Sequence, residues 1–179
     1  RRALADACAA TAWLASIFDS KQLSASRRSA LCDALMHGDS PFHISIGMAS
    51  VDEIDRLNIL CATQTAMRRA LGGLVVLPDY VLVDGNRPIP HLDLVQECVV
   101  KGDARCLSVA AASIVAKVTR DRLMCEYATL YPEYGFAEHK GYGTARHLRA
   151  LREHGHCPLH RRSFTVRAVA AVLGTRGRV

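Results

Sequence analysis

The spacing of apolar and polar residues predicts a succession of helices along this chain. Serine caps and glycine stops bound the first two: Ser24 or Ser26 to Gly38, and a Ser50–Glu53 capping box to Gly72 and Gly73. Helical periodicity predicts three more helices, at about 107–127, 144–154 and 165–173. Residues 132–143 show no regular period and are predicted to form a loop.

Three segments are predicted to be β-strands. Residues 42–48 alternate, with Phe42, Ile44, Ile46 and Met48 on one face, which is typical of a half-buried strand. Residues 80–83 and 95–100 are short apolar runs that end at turn residues, as expected of buried strands. Strands that alternate with helices predict an α/β sheet with at least one parallel pair. Because no linker or repeat interrupts the chain, we expect a single domain over residues 1–179, helical from about 144 to 179.

Composition excludes several classes of protein. The chain has 179 residues, 50% hydrophobic and 22% charged, with no 18-residue apolar run and no block of like charge. A disordered, collagen-like, coiled-coil or membrane-spanning chain is therefore excluded, and we expect no membrane partner. The net charge of +6 and the pI near 9.1 mildly favour a polyanionic partner. Many proteins that bind no nucleic acid carry a similar charge.

The cysteines indicate a reducing compartment. There are seven, with no Cys-x-x-Cys pair and mostly apolar neighbours, which is typical of buried free thiols. We therefore expect a cytoplasmic protein. The nearest approach to a metal cluster is His154, His156, Cys157 and His160, whose spacing fits no standard zinc pattern.

Two aspartates follow the two predicted buried strands. Asp84 comes after Tyr-Val-Leu-Val, and Asp103 comes after Val-Val-Lys-Gly. If the strands are neighbours, both carboxylates reach one point at the carboxyl edge of the sheet. Two carboxylates without Cys or His ligands suit Mg²⁺ or Mn²⁺, which prefer oxygen and can assist hydrolysis at a phosphate. Asp-Gly-Asn at 84–86 is also a common turn sequence, so the residues alone leave both interpretations open.

Further polar features are compatible with phosphate binding. Ser113, Lys117 and Arg120 form one stripe of a predicted helix, which suits phosphate contacts or simply a solvated face. Residues 139–144 combine glycines with Tyr142, a composition that allows backbone to approach a ligand and a ring to stack on it, or forms a plain turn. A short basic run follows at 160–163.

In combination these segments resemble the ribonuclease HII family. The matching stretches, in family order between about residues 19 and 167, are DSKQLS at 19–24, EIDRLNIL at 53–60, VLVDGNR at 81–87, VVKGD at 99–103, AAASIVAKVTRDRLM at 110–124, YPEYGFAEHKGYGT at 131–144 and CPLHRRSF at 157–164. The resemblance implies the ribonuclease H fold, a mixed sheet flanked by helices, here with a C-terminal helical extension. It also implies an endoribonuclease that cleaves RNA in RNA–DNA hybrids and nicks duplex DNA 5′ of an embedded ribonucleotide.

The resemblance also implies roles for individual residues. Asp84 and Asp103 match metal-binding catalytic acids, with Mg²⁺ or Mn²⁺ as cofactor for the hydrolysis. Tyr142 matches the tyrosine that packs on the sugar at the RNA–DNA junction. Phosphate contacts are assigned to four residues: Lys21, Ser113, Lys117 and Arg162. Asp121 lies further along the helix and is not expected to be a ligand.

One family motif is not found in these residues. The family's first strand carries Asp-Glu-x-Gly-Arg-Gly, which supplies two further acids and recognises the 2′-hydroxyl. The pair Asp52-Glu53 is no substitute, because it lies in the capping box of a helix. We therefore expect a chain that lacks the first central strand and is unstable and inactive by itself, from a parent that is a working, monomeric enzyme. The alternative is a module that binds RNA–DNA hybrid without cutting it.

Overall fold

The computed structural model describes Ile17 and residues 23–164 of the chain. The helices are α1 (Ala25–Met36), α2 (Val51–Gly72), α3 (Leu107–Leu130), α4 (Phe136–His139) and α5 (Ala145–His154), and the strands are β1 (Tyr80–Asp84) and β2 (Val95–Val99). The predicted helix at 165–173 lies outside the described residues. The chain divides into two compact units, one built from residues up to 46 and 70–119, the other from 47–69 and 120 onward.

The sheet of the first unit consists of β1 and β2, which pair in parallel from Tyr80 opposite Val95 to Asp84 opposite Val99. Val81 and Val83 turn their side chains into the core, because alternate residues of a strand face the same side. The predicted parallel pair is therefore confirmed. It also brings the ends of both strands to the same edge, which is what positions the site described below.

The prediction of a strand at 42–48 is wrong. No residue of this segment has strand structure, and the sheet formed by the described residues has two strands only. Phe42 and Ile44 pack against the core, whereas Ile46 and Met48 are 40% and 61% exposed. A strand needs a neighbour whose N–H and C=O groups pair with its own. Among the described residues this segment has no such neighbour, so it does not form a strand although its apolar residues alternate.

The core of the first unit joins α1 to the first half of α3. Leu31, Cys32 and Leu35 of α1 are buried together with Ile114 and Val118 of α3. The start of α1 is fixed by the predicted serine cap, since the Oγ atom of Ser24 accepts a hydrogen bond from the N–H of Arg27. In cysteine burial the prediction is only half right: Cys32 and Cys157 are buried, but Cys61 and Cys125 are exposed.

In the second unit, α2 begins with the predicted capping box. Ser50 N–H donates to Glu53 Oε2 at 2.8 Å, and Glu53 N–H donates to Ser50 Oγ at 3.2 Å. The periodicity nevertheless misses a break at Asn58, which has φ 69° and ψ 166°. Helical spacing groups Leu57 and Leu60 with Ile54, but only Ile54 is buried: Leu57, directly before the break, is 42% exposed, and Leu60, beyond it, is 38% exposed.

The predicted loop at 132–143 is in fact partly helical. A 3₁₀ turn (Pro132–Tyr134) leads through Gly135 into α4. Tyr134 stacks on Phe136 with their ring centroids 5.4 Å apart, and both rings are buried. The following helix α5 starts as predicted, with Thr144 as its N-cap. None of the described helices is long and apolar enough to cross a membrane.

Candidate active site

The first group of site residues lies where β1 and β2 end. Asp84 closes β1, and its Oδ1 atom accepts a hydrogen bond from the N–H of Gly102 at 2.8 Å. Asp103 follows Gly102 in a 3₁₀ turn and is only 7% exposed, whereas Asp84 is exposed. The structure thus brings Asp84 to Gly102, the residue before Asp103, across a sequence separation of 18 residues.

Gly102 favours this close approach because a side chain at its position would be crowded. A Cβ atom there would lie 3.0 Å from Val109 Cγ1, 3.4 Å from Val99 Cβ and 3.4 Å from the bonded oxygen of Asp84. Lys101, just before it, adopts a left-handed conformation with φ 56° that turns the chain out of β2. Sequence reasoning missed this role of Gly102, although a glycine directly before a candidate acid is a signal for close backbone approach.

The donor set of this edge fits a hard divalent cation. Asp84 and Asp103 offer carboxylate oxygens, and Mg²⁺ is usually held by one or two carboxylates together with water and substrate phosphate. Among the described residues, no group of three or more His, Cys, Asp or Glu side chains is arranged to hold a metal.

The predicted phosphate-binding residues of α3 divide between the two units. Ser113 is exposed and Lys117 is half-buried, both in the first unit with the two aspartates. Ile114, between them in sequence, is buried in the core, as the predicted stripe requires. Arg120 belongs to the second unit. Lys21 lies outside the described residues.

The second group of site residues surrounds Tyr142, in the turn between α4 and α5. The side chain of Tyr142 is 65% exposed. Its backbone is held on both sides: its N–H donates to the carbonyl of His139 at 2.9 Å, and its carbonyl accepts from Thr144 N–H at 2.8 Å and from His147 Nδ1 at 2.9 Å. The ring is therefore offered to solvent from a backbone that is fixed in place.

Three histidine rings pack beneath this turn. His139 stacks on His147 with their ring centroids 4.5 Å apart, and the Nε2 atoms of His147 and His160 lie 3.0 Å from each other. Burial lowers the pKa of His147 below its ordinary value and that of His160 to about 4. Both rings are consequently neutral at pH 7. Sequence reasoning considered His160 only as a zinc ligand and a basic residue, and assigned no role to His147.

Arg162 is positioned by an aspartate that sequence reasoning left without a role. The carboxylate of Asp55, on α2, accepts hydrogen bonds from the N–H groups of Arg162 and Ser163, each at 3.0 Å, and from Ser163 Oγ at 2.6 Å. The bonds from Ser163, followed by that from Arg162, lower the pKa of Asp55. Asp55 thus fixes the backbone of Arg162 and Ser163 from a distant part of the chain. The side chain of Arg162 is left exposed.

A cavity of about 620 Å³ lies within the second unit. Gly141 and Gly143 of the Tyr142 turn line it, as do His147, Arg120 and Arg161. Burial and the neighbouring Arg120 guanidinium lower the pKa of Arg161. The lining is thus positively charged beside the turn, which favours an anionic ligand.

Comparison with known proteins identifies the family. A family model described as Ribonuclease HII matches residues 12–167. This chain belongs to the ribonuclease HII family. Ribonuclease HII 1 of Methylibium petroleiphilum is 57% identical over 154 residues, which cover 86% of this chain and 76% of that protein. Ribonuclease HII of Paracidovorax citrulli is 55% identical over 152 residues, which cover 85% of this chain and 62% of that protein.

A solved structure gives the same result for the fold. The crystal structure of ribonuclease H2 from Pyrococcus horikoshii OT3 matches with a TM-score of 0.70 and 26% sequence identity. The match covers 93% of this chain and 86% of that one. The ribonuclease HII relationship therefore extends from sequence motifs to the α/β fold, and the predicted fold class is confirmed. Among the described residues, the sheet of this fold is the parallel pair of β1 and β2.

Proposed function

We propose that this chain carries the nuclease centre of an endoribonuclease that cleaves RNA in RNA–DNA hybrids and nicks duplex DNA 5′ of an embedded ribonucleotide. The observation that carries the proposal is the Asp84–Gly102 hydrogen bond, which holds the carboxylate of one candidate acid, Asp84, at the residue next to the other, Asp103. Membership of the ribonuclease HII family supplies the reaction class. The substrate and the products are our inference.

Asp84 and Asp103 are the residues that would hold the metal, Mg²⁺ or Mn²⁺. When bound, such an ion stabilises negative charge on phosphate oxygens and orients a water molecule for hydrolysis. The protein's own contribution is geometric. The Gly102 N–H fixes the orientation of the Asp84 carboxylate, and the burial of Asp103 restricts the positions its side chain can reach. A carboxylate held in advance loses less freedom when the ligand binds.

Five residues are proposed to hold the nucleic acid. Tyr142 offers an aromatic face that can pack on the sugar at the RNA–DNA junction, and Ser113, Lys117, Arg162 and Lys21 are assigned to phosphates. Because phosphate contacts release counterions, affinity for the hybrid should fall steeply as salt rises. We further propose a monomer that acts in the cytoplasm, which the free thiols of all six described cysteines support.

A second candidate is a module that binds RNA–DNA hybrid without cutting it. The observation that favours it is the absence, among the described residues, of a preformed cluster of three or more metal-ligating side chains. The two candidates agree on the role of Tyr142. They differ on whether the two aspartates are needed for a chemical step.

Substitution of the two acids separates these candidates. Asp84→Asn and Asp103→Asn should each abolish Mg²⁺-dependent cleavage of a labelled hybrid, because the neutral amide is a poor ligand for a hard cation. Binding of the hybrid, measured by fluorescence anisotropy in EDTA, should change little. The assays use the chain as it stands and also joined to any residues that precede it in its natural protein. Cleavage that persists in both variants would refute the metal assignment.

A further inference from the structure

We propose that His147 and His160 are positioning residues for Tyr142 and that they set how well the protein distinguishes a ribonucleotide from a deoxyribonucleotide. The two rings form a chain of hydrogen bonds from the backbone at Cys157 to the carbonyl of Tyr142. This inference rests on the proposed role of Tyr142 in contacting the sugar at the junction.

The direction of the chain follows from the chemistry of its ends. His160 Nδ1 lies 3.0 Å from the Cys157 N–H, 3.1 Å from the Cys157 sulfur and 3.3 Å from the Cys157 carbonyl. Because the Tyr142 carbonyl at the other end of the chain can only accept, the arrangement of neutral rings that satisfies every link makes His160 Nδ1 the acceptor of the Cys157 N–H. The proton of the neutral His160 ring is then on Nε2, which donates across 3.0 Å to His147 Nε2. The proton of His147 is therefore on Nδ1, and it donates to the carbonyl of Tyr142 at 2.9 Å.

Packing holds both rings in this arrangement. His147 is 6% exposed, with His139 stacked on one face and the ring of Phe136 at 5.7 Å in an edge-on arrangement. The ring of Tyr134 lies 4.8 Å from that of His160. Side chains this confined cannot readily turn towards water for other partners. The hydrogen bonds that hold His160 at Cys157 thus also hold His147 against the carbonyl of Tyr142.

Only the neutral rings can form this chain. A second proton on His147 would place an N–H on its Nε2, facing the N–H on His160 Nε2. A second proton on His160 would place an N–H on its Nδ1, facing the Cys157 N–H. Burial disfavours a second proton on either ring. The titratable groups that act on His147, on His160 or on the neighbouring Cys157 are His139, His156, Cys157, Tyr134 and Glu133. At neutral pH the chain is intact, and the Tyr142 carbonyl keeps a partner that no apolar residue at position 147 could supply.

The test compares variants that keep or remove the last donor. His147→Asn retains an N–H that can reach the Tyr142 carbonyl, whereas His147→Phe fills the space without one. The readout is the ratio of Kd values for an all-DNA duplex and the same duplex with one ribonucleotide, measured by anisotropy with Ca²⁺. His147→Phe should reduce this ratio about three- to tenfold, the range expected for one lost hydrogen bond. His147→Asn should stay within about twofold of the unmodified protein, as partial replacement of that bond implies.

Two controls make the result specific. His156→Gln alters a histidine that is exposed and outside the chain of hydrogen bonds, and it should leave the ratio unchanged. Tyr142→Ala tests the proposed function on its own: if it leaves the ratio unchanged, the role of Tyr142 fails. A thermal melt shows whether His147→Phe is folded. If Tyr142→Ala abolishes the discrimination and a folded His147→Phe does not reduce the Kd ratio, the positioning inference alone is overturned.

A spectroscopic measurement needs no variant. Nitrogen-15 NMR of the histidine rings at pH 7.5 should show His147 with its proton on Nδ1 and His160 with its proton on Nε2. A His147 ring protonated on Nε2 would overturn the inference, and this result remains available if His147→Phe fails to fold.

Discussion

Gly102→Ala is the substitution whose effect can be worked out most fully from the structure. The added methyl group would lie 3.0 Å from Val109 Cγ1 and 3.4 Å from both Val99 Cβ and Asp84 Oδ1. Val99 is the last residue of β2 and Val109 is a buried residue of α3, so neither can move away freely. The Asp84 carboxylate is the neighbour with most freedom. We therefore expect the strain to displace it from the Gly102 N–H.

The magnitude follows from overpacking at a buried position. Forcing one extra carbon into a packed site lowers the free energy of unfolding by about 1–3 kcal/mol. Alanine also restricts the unfolded chain, which raises the free energy of unfolding by about 0.4–1 kcal/mol. A net loss of about 1–2 kcal/mol lowers the Tm of a chain this size by about 2–8 °C. Displacement of the carboxylate should lower kcat/KM for hybrid cleavage by about tenfold or more, since catalysis is sensitive to small errors of position.

The matched control is Gly38→Ala, also in the first unit. A Cβ atom at Gly38 would have no neighbour within 4 Å. Thermal and urea unfolding of both variants, with cleavage measured at several Mg²⁺ concentrations, should separate them. Gly38→Ala should be at least as stable as the unmodified protein, with the same Mg²⁺ dependence, whereas Gly102→Ala should lose stability and need more Mg²⁺. Equal stability and equal Mg²⁺ dependence in the two variants would refute the close-approach argument.

Two further predictions concern the second unit. Asp55→Ala removes the acceptor of the Arg162 and Ser163 N–H groups. It should therefore lower the Tm and weaken hybrid binding without changing the Mg²⁺ dependence. The control is Asp52→Ala, at an exposed residue of the same helix, which should change neither the Tm nor hybrid binding. Acid should destabilise the fold through His160, whose pKa falls from 6.5 to about 4. Between those values the unfolded chain takes up a proton that the folded chain refuses, so stability falls as pH falls. Urea unfolding across pH 7–4 should show a shallower loss in His160→Gln than in the unmodified protein.

Local signals in the sequence were sufficient for the helix starts. The Ser50–Glu53 box and the Thr144 cap are contacts between residues three apart, so the sequence pattern contains the whole interaction. The parallel pairing of β1 and β2 was also predictable, from strands separated by a connection and ending in similar turns. The resemblance to ribonuclease HII, carried by motifs spread along the chain, gave the family that the comparisons confirm.

The features that were missed depend on distant or non-local partners. Alternation at 42–48 describes the two faces of a segment but not whether a strand lies beside it. Helical periodicity cannot register a single residue with positive φ such as Asn58, which interrupts the regular repeat inside α2. The contact of Asp55 with Ser163 spans 108 residues, and that of His147 with His160 joins two segments through a turn. Neither contact produces a periodic pattern in the sequence from which it could be predicted.

The most direct test of the central claim is a nicking assay on duplex DNA that carries a single ribonucleotide. The substrate is incubated with Mg²⁺, Mn²⁺ or EDTA, with the chain and with the chain joined to any natural upstream residues, and the products are mapped. We predict one cut on the 5′ side of the ribonucleotide, leaving a 3′-hydroxyl and a 5′-phosphate, with at least the longer form and only in the presence of a divalent metal. Uncut duplex that is nevertheless bound, or a cut that EDTA does not suppress, would contradict it.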